Sequence, residues 1–161
     1  MTASPSLPRV RRITAAETIP LRLAILRAGM PVEAAIFPGD TDPDTQHFGA
    51  FEGDANKLVG VASIYRAALP EQPGLAGSWQ LRGMATEVRG HGYGRALVHA
   101  CIASAKEAGG TLLWCNARSS ATAFYAKQGW NLLGSEFDIP TAGPHFRMII
   151  PLRSSGAEDM P

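Results

Sequence analysis

Residues 89–95 read R-G-H-G-Y-G-R, between a segment that alternates like a strand and a segment with helical periodicity. Glycines let backbone N–H groups approach a phosphate closely, because they carry no Cβ. A helix that begins at such a turn adds the unpaired N–H groups of its first turn and the positive end of its dipole. The stretch therefore predicts an anion site, most readily for a pyrophosphate. The alternative is a glycine-rich turn that only joins two elements.

Two common phosphate-binding motifs do not fit this turn. The dinucleotide motif G-x-G-x-x-G, counted from Gly90, needs a third glycine where Arg95 stands. That motif also uses an acidic residue at the end of the following strand, where this chain has Asn116. The P-loop needs a glycine followed by lysine, and neither Gly92 nor Gly94 meets that condition. Nicotinamide dinucleotides and nucleoside triphosphates are therefore disfavoured as ligands.

The helices on either side of the turn are indicated by local signals. Thr14, followed three residues later by Glu17, has capping-box spacing and predicts a helix that continues to Leu26. A second helix is predicted over 94–108 and a short third one over 119–128. The core stripe expected on the second helix consists of Leu97, Ala100, Cys101 and Ser104.

The strands complete an α/β pattern. Gly/Asp/Pro-rich loops are predicted over 38–45 and 69–77. Since strands and helices alternate, we expect a mixed central sheet of about six or seven strands flanked by helices. The predicted strands cover residues 10–13, 47–51, 58–65, 79–85, 112–117, 131–137 and 146–152.

Length and composition limit the class of protein. The 161 residues suit a single domain, with an ordered core over about 8–153 and loose termini at 1–7 and 154–161. No apolar run is long enough for a bilayer, and the N-terminus lacks the pattern of a secretory signal, so we expect a cytoplasmic location. Fifteen basic against fourteen acidic side chains indicate neither a nucleic-acid nor a membrane partner. Cys101 and Cys115 are expected to be reduced core residues, and the scattered histidines predict no metal site.

Two stretches together resemble a known family. R-G-H-G-Y-G is similar to the Q/R-x-x-G-x-G/A signature of the GNAT superfamily of N-acyltransferases. Residues 116–130, N-A-R-S-S-A-T-A-F-Y-A-K-Q-G-W, resemble that family's second stretch, in the same order and at about the same separation. The resemblance implies a GNAT-like fold and an acetyl-CoA-dependent N-acetyltransferase, with acetyl-CoA as co-substrate and no metal. Dimers are common in that family, so a homodimer is one option by analogy, and the sequence itself leaves the oligomeric state open.

The resemblance also implies which residues bind the cofactor. Backbone amides of the turn would hold the pyrophosphate, and the end of the preceding strand would run beside the pantetheine arm. Asn116 would contact the pantetheine or adjoining backbone, although it also suits a plain strand end. The turn residues are Arg89, Gly90, His91, Gly92, Tyr93, Gly94, Arg95 and Ala96, and the strand residues are Met84 and Ala85.

Two residues are candidates for proton transfer. Tyr125 matches the family tyrosine that protonates the departing thiolate. The alternative role for Tyr125 is that of an amphipathic core residue. His145 is a candidate base because imidazole titrates near neutral pH, and its alternative is a structural histidine at a Gly-Pro bend. The rivals for the base are Glu136, Asp138 and a chain of waters, and His47 is a further residue that could face the acceptor.

Three functions remain open from the sequence. The first is transfer of acetyl to the primary amine of a small molecule, directly and through a tetrahedral intermediate. The second is acylation of a protein or peptide, which an open groove would favour. The third is a non-catalytic module that binds acyl-CoA, which would keep the glycine turn and dispense with acid and base. The presence of Tyr125 disfavours the third.

Overall fold

Seven β-strands and three α-helices follow one another in the described part of the chain, residues 8–53 and 56–152 of a computed structural model. The termini that were expected to be loose lie outside the described residues, as do residues 54 and 55. The helices are α1 Ala15–Leu21, α2 Tyr93–Glu107 and α3 Thr122–Ala126. The strands are β1 Arg9–Ile13, β2 Gln46–Glu52, β3 Lys57–Arg66, β4 Ser78–Thr86, β5 Leu112–Arg118, β6 Asn131–Ile139 and β7 Gly143–Pro151.

The strands form one mixed sheet with the hydrogen-bonded order β1-β2-β3-β4-β5-β7-β6. β4 and β5 pair in parallel, while the pairs β1–β2, β2–β3, β5–β7 and β6–β7 are antiparallel. The predicted α/β class, a mixed central sheet of about six or seven strands flanked by helices, is therefore confirmed, and the number of strands is seven. By its contacts the chain divides into two compact units. That they make up a single domain stays a prediction.

The first unit spans the chain up to Tyr65 together with Gly83–Cys101. Its first helix begins with the predicted capping box, in which Thr14 and Glu17 each accept a hydrogen bond from the other's backbone N–H. The helix keeps α geometry only to Leu21 and continues as a π-helical turn, Arg22–Leu26, so the prediction of one regular helix was wrong in this detail. Pro20 lies inside α1 and has no N–H, which removes one donor from the α ladder just before this change.

The core face of α2 differs from the predicted stripe. Leu97 and Cys101 are fully buried as expected, whereas Ala100 and Ser104 are only half-buried. The other fully buried positions are Val98 and Ala105, so the buried face contains the row Leu97, Cys101 and Ala105 at i, i+4 and i+8, with Val98 beside it. The prediction of Ala100 and Ser104 as core residues was wrong, because small and weakly polar residues left the orientation of this face ambiguous.

The second unit comprises Arg66–Arg82 and the chain from Ile102 onward. Leu69, Leu112 and Trp114 form its buried cluster, and the Trp114 indole N–H donates to the Ala67 carbonyl at 3.0 Å. Cys115 is buried on the opposite face of β5, and burial raises the pKa of this thiol to about 12 despite the charge of Arg147. Both cysteines are free core residues, as predicted.

The last hairpin is longer than predicted. β7 begins at Gly143, three residues before the predicted start, and the chain reverses where the Ala142 N–H donates to the Ile139 carbonyl at 2.9 Å. Thr141 takes the positive φ of 68° that this turn requires. His145 therefore lies within a strand, paired with Phe137 of β6 and Arg118 of β5, rather than at a bend.

Candidate functional site

The end of β4 leads from the core of the first unit into the glycine turn. Ala85 packs into the cluster that contains Ile13 and Val61, while Met84 is half-buried. After the strand ends, the Glu87 N–H still donates to the Val59 carbonyl at 2.7 Å. These contacts fix the direction in which the chain enters the turn.

The turn itself is open around its glycines. Gly90 and Gly92 have φ angles of 81° and 80°, a left-handed conformation that side chains with a Cβ adopt at a cost. Among the described residues, an added Cβ at Gly90 meets nothing within 4 Å, and one at Gly92 meets Pro8 Cγ at 3.8 Å. Arg89 and His91 are exposed. The turn therefore leaves room for a ligand to reach the backbone.

The first turn of α2 supplies backbone N–H groups that can donate hydrogen bonds to an anion. Its α-helical hydrogen bonds begin where the Ala96 N–H donates to the Gly92 carbonyl at 3.0 Å. The N–H groups of Tyr93, Gly94 and Arg95 precede that bond and have no acceptor four residues back within the helix. This turn contains no acidic side chain that would repel an anion. Three amides at a positive helix end and an exposed Arg95 match the requirements of a pyrophosphate.

In the second unit, Asn116 lies near the end of β5 and is engaged by an arginine. It faces Arg147 across the β5–β7 ladder, and the Arg147 Nη1 donates to its Oδ1. The Arg147 Nε donates to the carboxylate of Glu71 at 3.0 Å. Neither Arg147 nor Glu71 was predicted. The alternation of β7 puts residues 145, 147 and 149 on one face and could have indicated Arg147. That this face meets Asn116, however, depends on the strand register, which the sequence does not give.

His145 lies on the same face of β7 as Arg147, two residues earlier. It is 5% exposed, and its Nδ1 lies 2.7 Å from the Gly143 carbonyl oxygen. Because a carbonyl only accepts, Nδ1 carries the hydrogen and Nε2 of the neutral ring keeps a lone pair. The geometry therefore leaves Nε2 of His145 as a proton acceptor, which is what a general base needs. The rivals Glu136 and Asp138 are exposed, and Glu136 accepts a hydrogen bond from the Ser119 hydroxyl at 2.7 Å.

Tyr125 lies in the short helix α3. The residue is 6% exposed, with the ring edge-on to Phe124 at 5.1 Å and to Trp130 at 5.3 Å. Such edge-to-face packing fixes the ring plane and therefore the direction of the hydroxyl. Both the proposed acid role and the core alternative are compatible with this position.

His47 belongs to a different environment in the first unit. Its Nε2 lies 2.9 Å from the Asp40 carbonyl and therefore carries the hydrogen. Its Nδ1 accepts a hydrogen bond from the Ser63 hydroxyl at 2.6 Å, and the Ser63 oxygen in turn accepts from Arg22 Nη2 at 3.1 Å. In the neutral tautomer both ring nitrogens of His47 are thus engaged within the protein, which makes it a structural residue rather than one that faces an acceptor.

Arg22 is the centre of this buried network, and the sequence did not indicate it. The side chain is 0% exposed and donates to Asp40 at 2.7 Å and to the Tyr65 hydroxyl at 2.9 Å. Burial raises the pKa of Asp40, but hydrogen bonds from Arg22, Tyr65 and the Phe37 amide lower it more, so its pKa lies below the ordinary value.

Neither a metal site nor a membrane-spanning helix is present in the described part of the chain. Within 8–53 and 56–152, no group of three or more His, Cys, Asp or Glu side chains is arranged to hold a metal ion. In the same part of the chain, no helix is both long and apolar enough to span a bilayer.

Comparison with known proteins assigns the chain to a family of acyltransferases. The Acetyltransferase (GNAT) family model matches residues 20–130. A relative from Bacillus subtilis (strain 168), named Uncharacterized N-acetyltransferase YitI, is 35% identical over 150 residues, which cover 91% of this chain and 97% of the relative. The chain therefore belongs to the Acetyltransferase (GNAT) family, as the two sequence stretches predicted, and it is an acyltransferase.

Solved structures share the fold. A putative N-acetyltransferase from Lactobacillus plantarum has a TM-score of 0.74 at 19% identity, over 92% of this chain and 100% of that chain. An aminoglycoside 6'-N-acetyltransferase complexed with coenzyme A has a TM-score of 0.67 at 14% identity, over 91% of this chain and 99% of that chain. The predicted GNAT-like fold is therefore confirmed.

Proposed function

We propose that this enzyme transfers an acetyl group from acetyl-CoA to the primary amine of a small molecule. The observation that carries the proposal is the open turn at 90–95, where two left-handed glycines precede three helix-start amides. A pyrophosphate fits this turn because the amides can all donate to it and no Cβ blocks the approach. The coenzyme A bound by the similar aminoglycoside 6'-N-acetyltransferase supports the same ligand class.

In the first unit, the glycine turn and the end of β4 would bind the cofactor. The amides of Tyr93, Gly94 and Arg95 bind the pyrophosphate, and the exposed Arg89 adds positive charge. The strand residues Met84 and Ala85 run beside the pantetheine arm, and one of their N–H groups donates to the thioester oxygen. A fixed backbone donor aimed at a developing oxyanion is usually the largest single contribution to acyl transfer.

The transfer itself needs one base and one acid. The neutral amine attacks the thioester carbonyl carbon, forming a C–N bond and a tetrahedral intermediate with a negatively charged oxygen. His145 Nε2 takes the proton that the amine loses. The intermediate then reforms its carbonyl, the C–S bond breaks, and the departing thiolate receives a proton from the Tyr125 hydroxyl. The products are the N-acetylated amine and coenzyme A.

An anchored loop of the second unit supports a small acceptor rather than a protein. In the loop at 67–77, Glu71 is held by Arg147. An ordered loop of this kind can cover a small molecule, whereas a peptide needs an open groove. A cytoplasmic location stays a prediction, and a homodimer stays one option for the oligomeric state.

The direct test measures coenzyme A release and N-acetylated product with acetyl-CoA and a broad panel of amines. We expect turnover with at least one class of small primary amines. Turnover restricted to peptides would favour the protein acyltransferase. Acetyl-CoA binding without turnover across the whole panel would favour the binding module.

Tyr125→Phe tests the acid. Removing the hydroxyl should lower kcat by about tenfold or more and leave the affinity for acetyl-CoA nearly unchanged, because general acid catalysis contributes roughly 10²–10⁴-fold. Tyr65→Phe removes a phenol from the buried network and serves as the matched control, with kcat expected near the wild-type value. Equal kcat for Tyr125→Phe and wild type would exclude Tyr125 from the mechanism.

A further inference from the structure

The side chain of Arg147 connects a loop to a residue predicted to bind the cofactor. It lies on β7 opposite Asn116 of β5, and its guanidinium donates through Nη1 to Asn116 Oδ1. Its Nε donates to Glu71 of the loop at 67–77, at 3.0 and 3.2 Å from the two carboxylate oxygens. These three residues are 31 and 76 positions apart in sequence but form one chain of hydrogen bonds within the second unit.

Arg147 is held more firmly than a surface arginine. Its side chain is 15% exposed, and the guanidinium carbon lies 5.1 Å from the ring centres of both Trp114 and Phe137. Aromatic faces attract a guanidinium and restrict its plane. The direction of its N–H groups is therefore set by packing as well as by Glu71.

This contact determines which end of the Asn116 amide is presented to a ligand. A guanidinium has only donors, so the amide must turn its oxygen toward Arg147. A flipped amide would set N–H against N–H and lose the bond. With Oδ1 facing Arg147, the Nδ2 hydrogens are the hydrogen-bonding atoms that Asn116 offers elsewhere. Asn116 is half-buried and thus accessible to a ligand.

We propose that Arg147 is a positioning residue that orients Asn116 as a hydrogen-bond donor to an amide carbonyl of the pantetheine arm. The proposal rests on the proposed acetyl-CoA-binding function. It goes beyond that function in naming the atom of Asn116 that binds and the residue that orients it. Glu71 holds Arg147 from the loop and is not expected to contact the cofactor.

The test uses two ligands that differ in the pantetheine arm. Calorimetry measures the affinity of the full-length protein for acetyl-CoA and for 3'-phospho-ADP, the nucleotide part of coenzyme A without the arm. Arg147→Met and Asn116→Ala should each weaken acetyl-CoA binding by roughly three- to tenfold, as expected for one hydrogen bond, with 3'-phospho-ADP binding unchanged. The double variant should be no weaker than Asn116→Ala alone, since both changes remove the same contact.

Asn116→Asp separates orientation from mere packing. The carboxylate is the same size and strengthens the pair with Arg147, but it has no N–H to donate. We expect this variant to unfold at or above the wild-type temperature and still lose acetyl-CoA affinity. Because it preserves the contact, it also keeps the proposal testable if Arg147→Met does not fold.

Three results would overturn the inference while leaving the proposed function intact. They are unchanged acetyl-CoA affinity in Arg147→Met, an equal loss for both ligands, or wild-type affinity in Asn116→Asp. If the wild-type protein binds neither ligand, the proposed function fails and this inference fails with it.

Discussion

Two arginines of this protein make similar contacts in different surroundings. Arg22 in the first unit lies 4.0 Å from the Phe37 ring centre and pairs with Asp40. Arg147 in the second unit lies 5.1 Å from the ring centres of Trp114 and Phe137 and pairs with Glu71. The side chains of Arg22 and Asp40 are 0% and 5% exposed, whereas those of Arg147 and Glu71 are 15% and 40% exposed.

The difference lies in where each network ends. The partners of Arg22 are buried protein groups, and two of them, Tyr65 and Asp40, also bond to each other, so this network stabilises the unit internally. The network of Arg147 ends on a half-buried amide that has donors to offer. A paired arginine under an aromatic ring is therefore not by itself evidence of function. The accessible polar group at the end of its network is what indicates a binding role.

The largest loss of stability is expected from breaking the buried Arg22–Asp40 pair. Asp40→Asn leaves the Arg22 charge without its counter-ion, and we expect the free energy of unfolding to fall by about 3–5 kcal/mol. Chemical denaturation measures it. Tyr65→Phe, which removes one neutral partner from the same network, should cost only about 1 kcal/mol. A similar small loss for both variants would show that the Arg22–Asp40 pair is not the centre of the network.

The pH dependence provides a second check on this pair. The pKa of Asp40 is lowered in the folded protein, so the ionised carboxylate stabilises the fold above the ordinary aspartate pKa. That contribution is lost as the pH falls through the lowered value. The stability difference between wild type and Asp40→Asn should therefore shrink in strong acid. A difference independent of pH would contradict this assignment.

An intermediate effect is expected at Gly83. It has a φ of 70°, and an added Cβ would lie 3.2 Å from both Arg22 Nε and the Phe37 ring. Gly83→Ala should cost about 1–3 kcal/mol from backbone strain and crowding of the buried arginine. Gly29→Ala is the matched control, since Gly29 has a φ of 78° and, within the described part of the chain, an added Cβ meets nothing within 4 Å. If both variants lose the same stability, the arginine is not crowded and only the strain counts.

The smallest loss of stability is expected from breaking the half-exposed Arg147–Glu71 pair. Glu71→Gln should lower the free energy of unfolding by no more than about 1 kcal/mol, because solvent screens an ion pair of this exposure. Thermal unfolding of the variant beside wild type measures it. A loss as large as that of Asp40→Asn would erase the distinction between the two networks.

Features that depend only on residues close together in the sequence were predictable. The capping box at Thr14 and Glu17 and the glycine turn at 90–92 are local, and both occur where they were predicted. The strands were predicted to within three residues at each end, since alternation and turn residues mark them directly. Of the candidate site, the turn and its helix start are the part that local chemistry could indicate.

Features that depend on strand register were not predictable. Arg22 meets Ser63 and Tyr65 at separations of 41 and 43 residues, and nothing local in the α1 segment identifies the buried arginine. Arg147 meets Asn116 only because β7 inserts beside β5 in one particular register. A shift of one residue would put Arg147 on the opposite face. The start of β7 was missed because a Gly-Pro pair more often marks a turn than the beginning of a strand.

The most direct test of the central claim is calorimetric titration of three purified proteins with acetyl-CoA: wild type, Gly92→Glu and Gly29→Glu. The two variants share a positive φ, an exposed position and an added negative charge, so they should lose similar stability. We predict micromolar binding by wild type and Gly29→Glu, and binding weaker by at least about tenfold in Gly92→Glu, because its carboxylate would repel the pyrophosphate. No binding by folded wild type at millimolar ligand, or equal binding by all three proteins, would contradict the claim that this turn binds the cofactor.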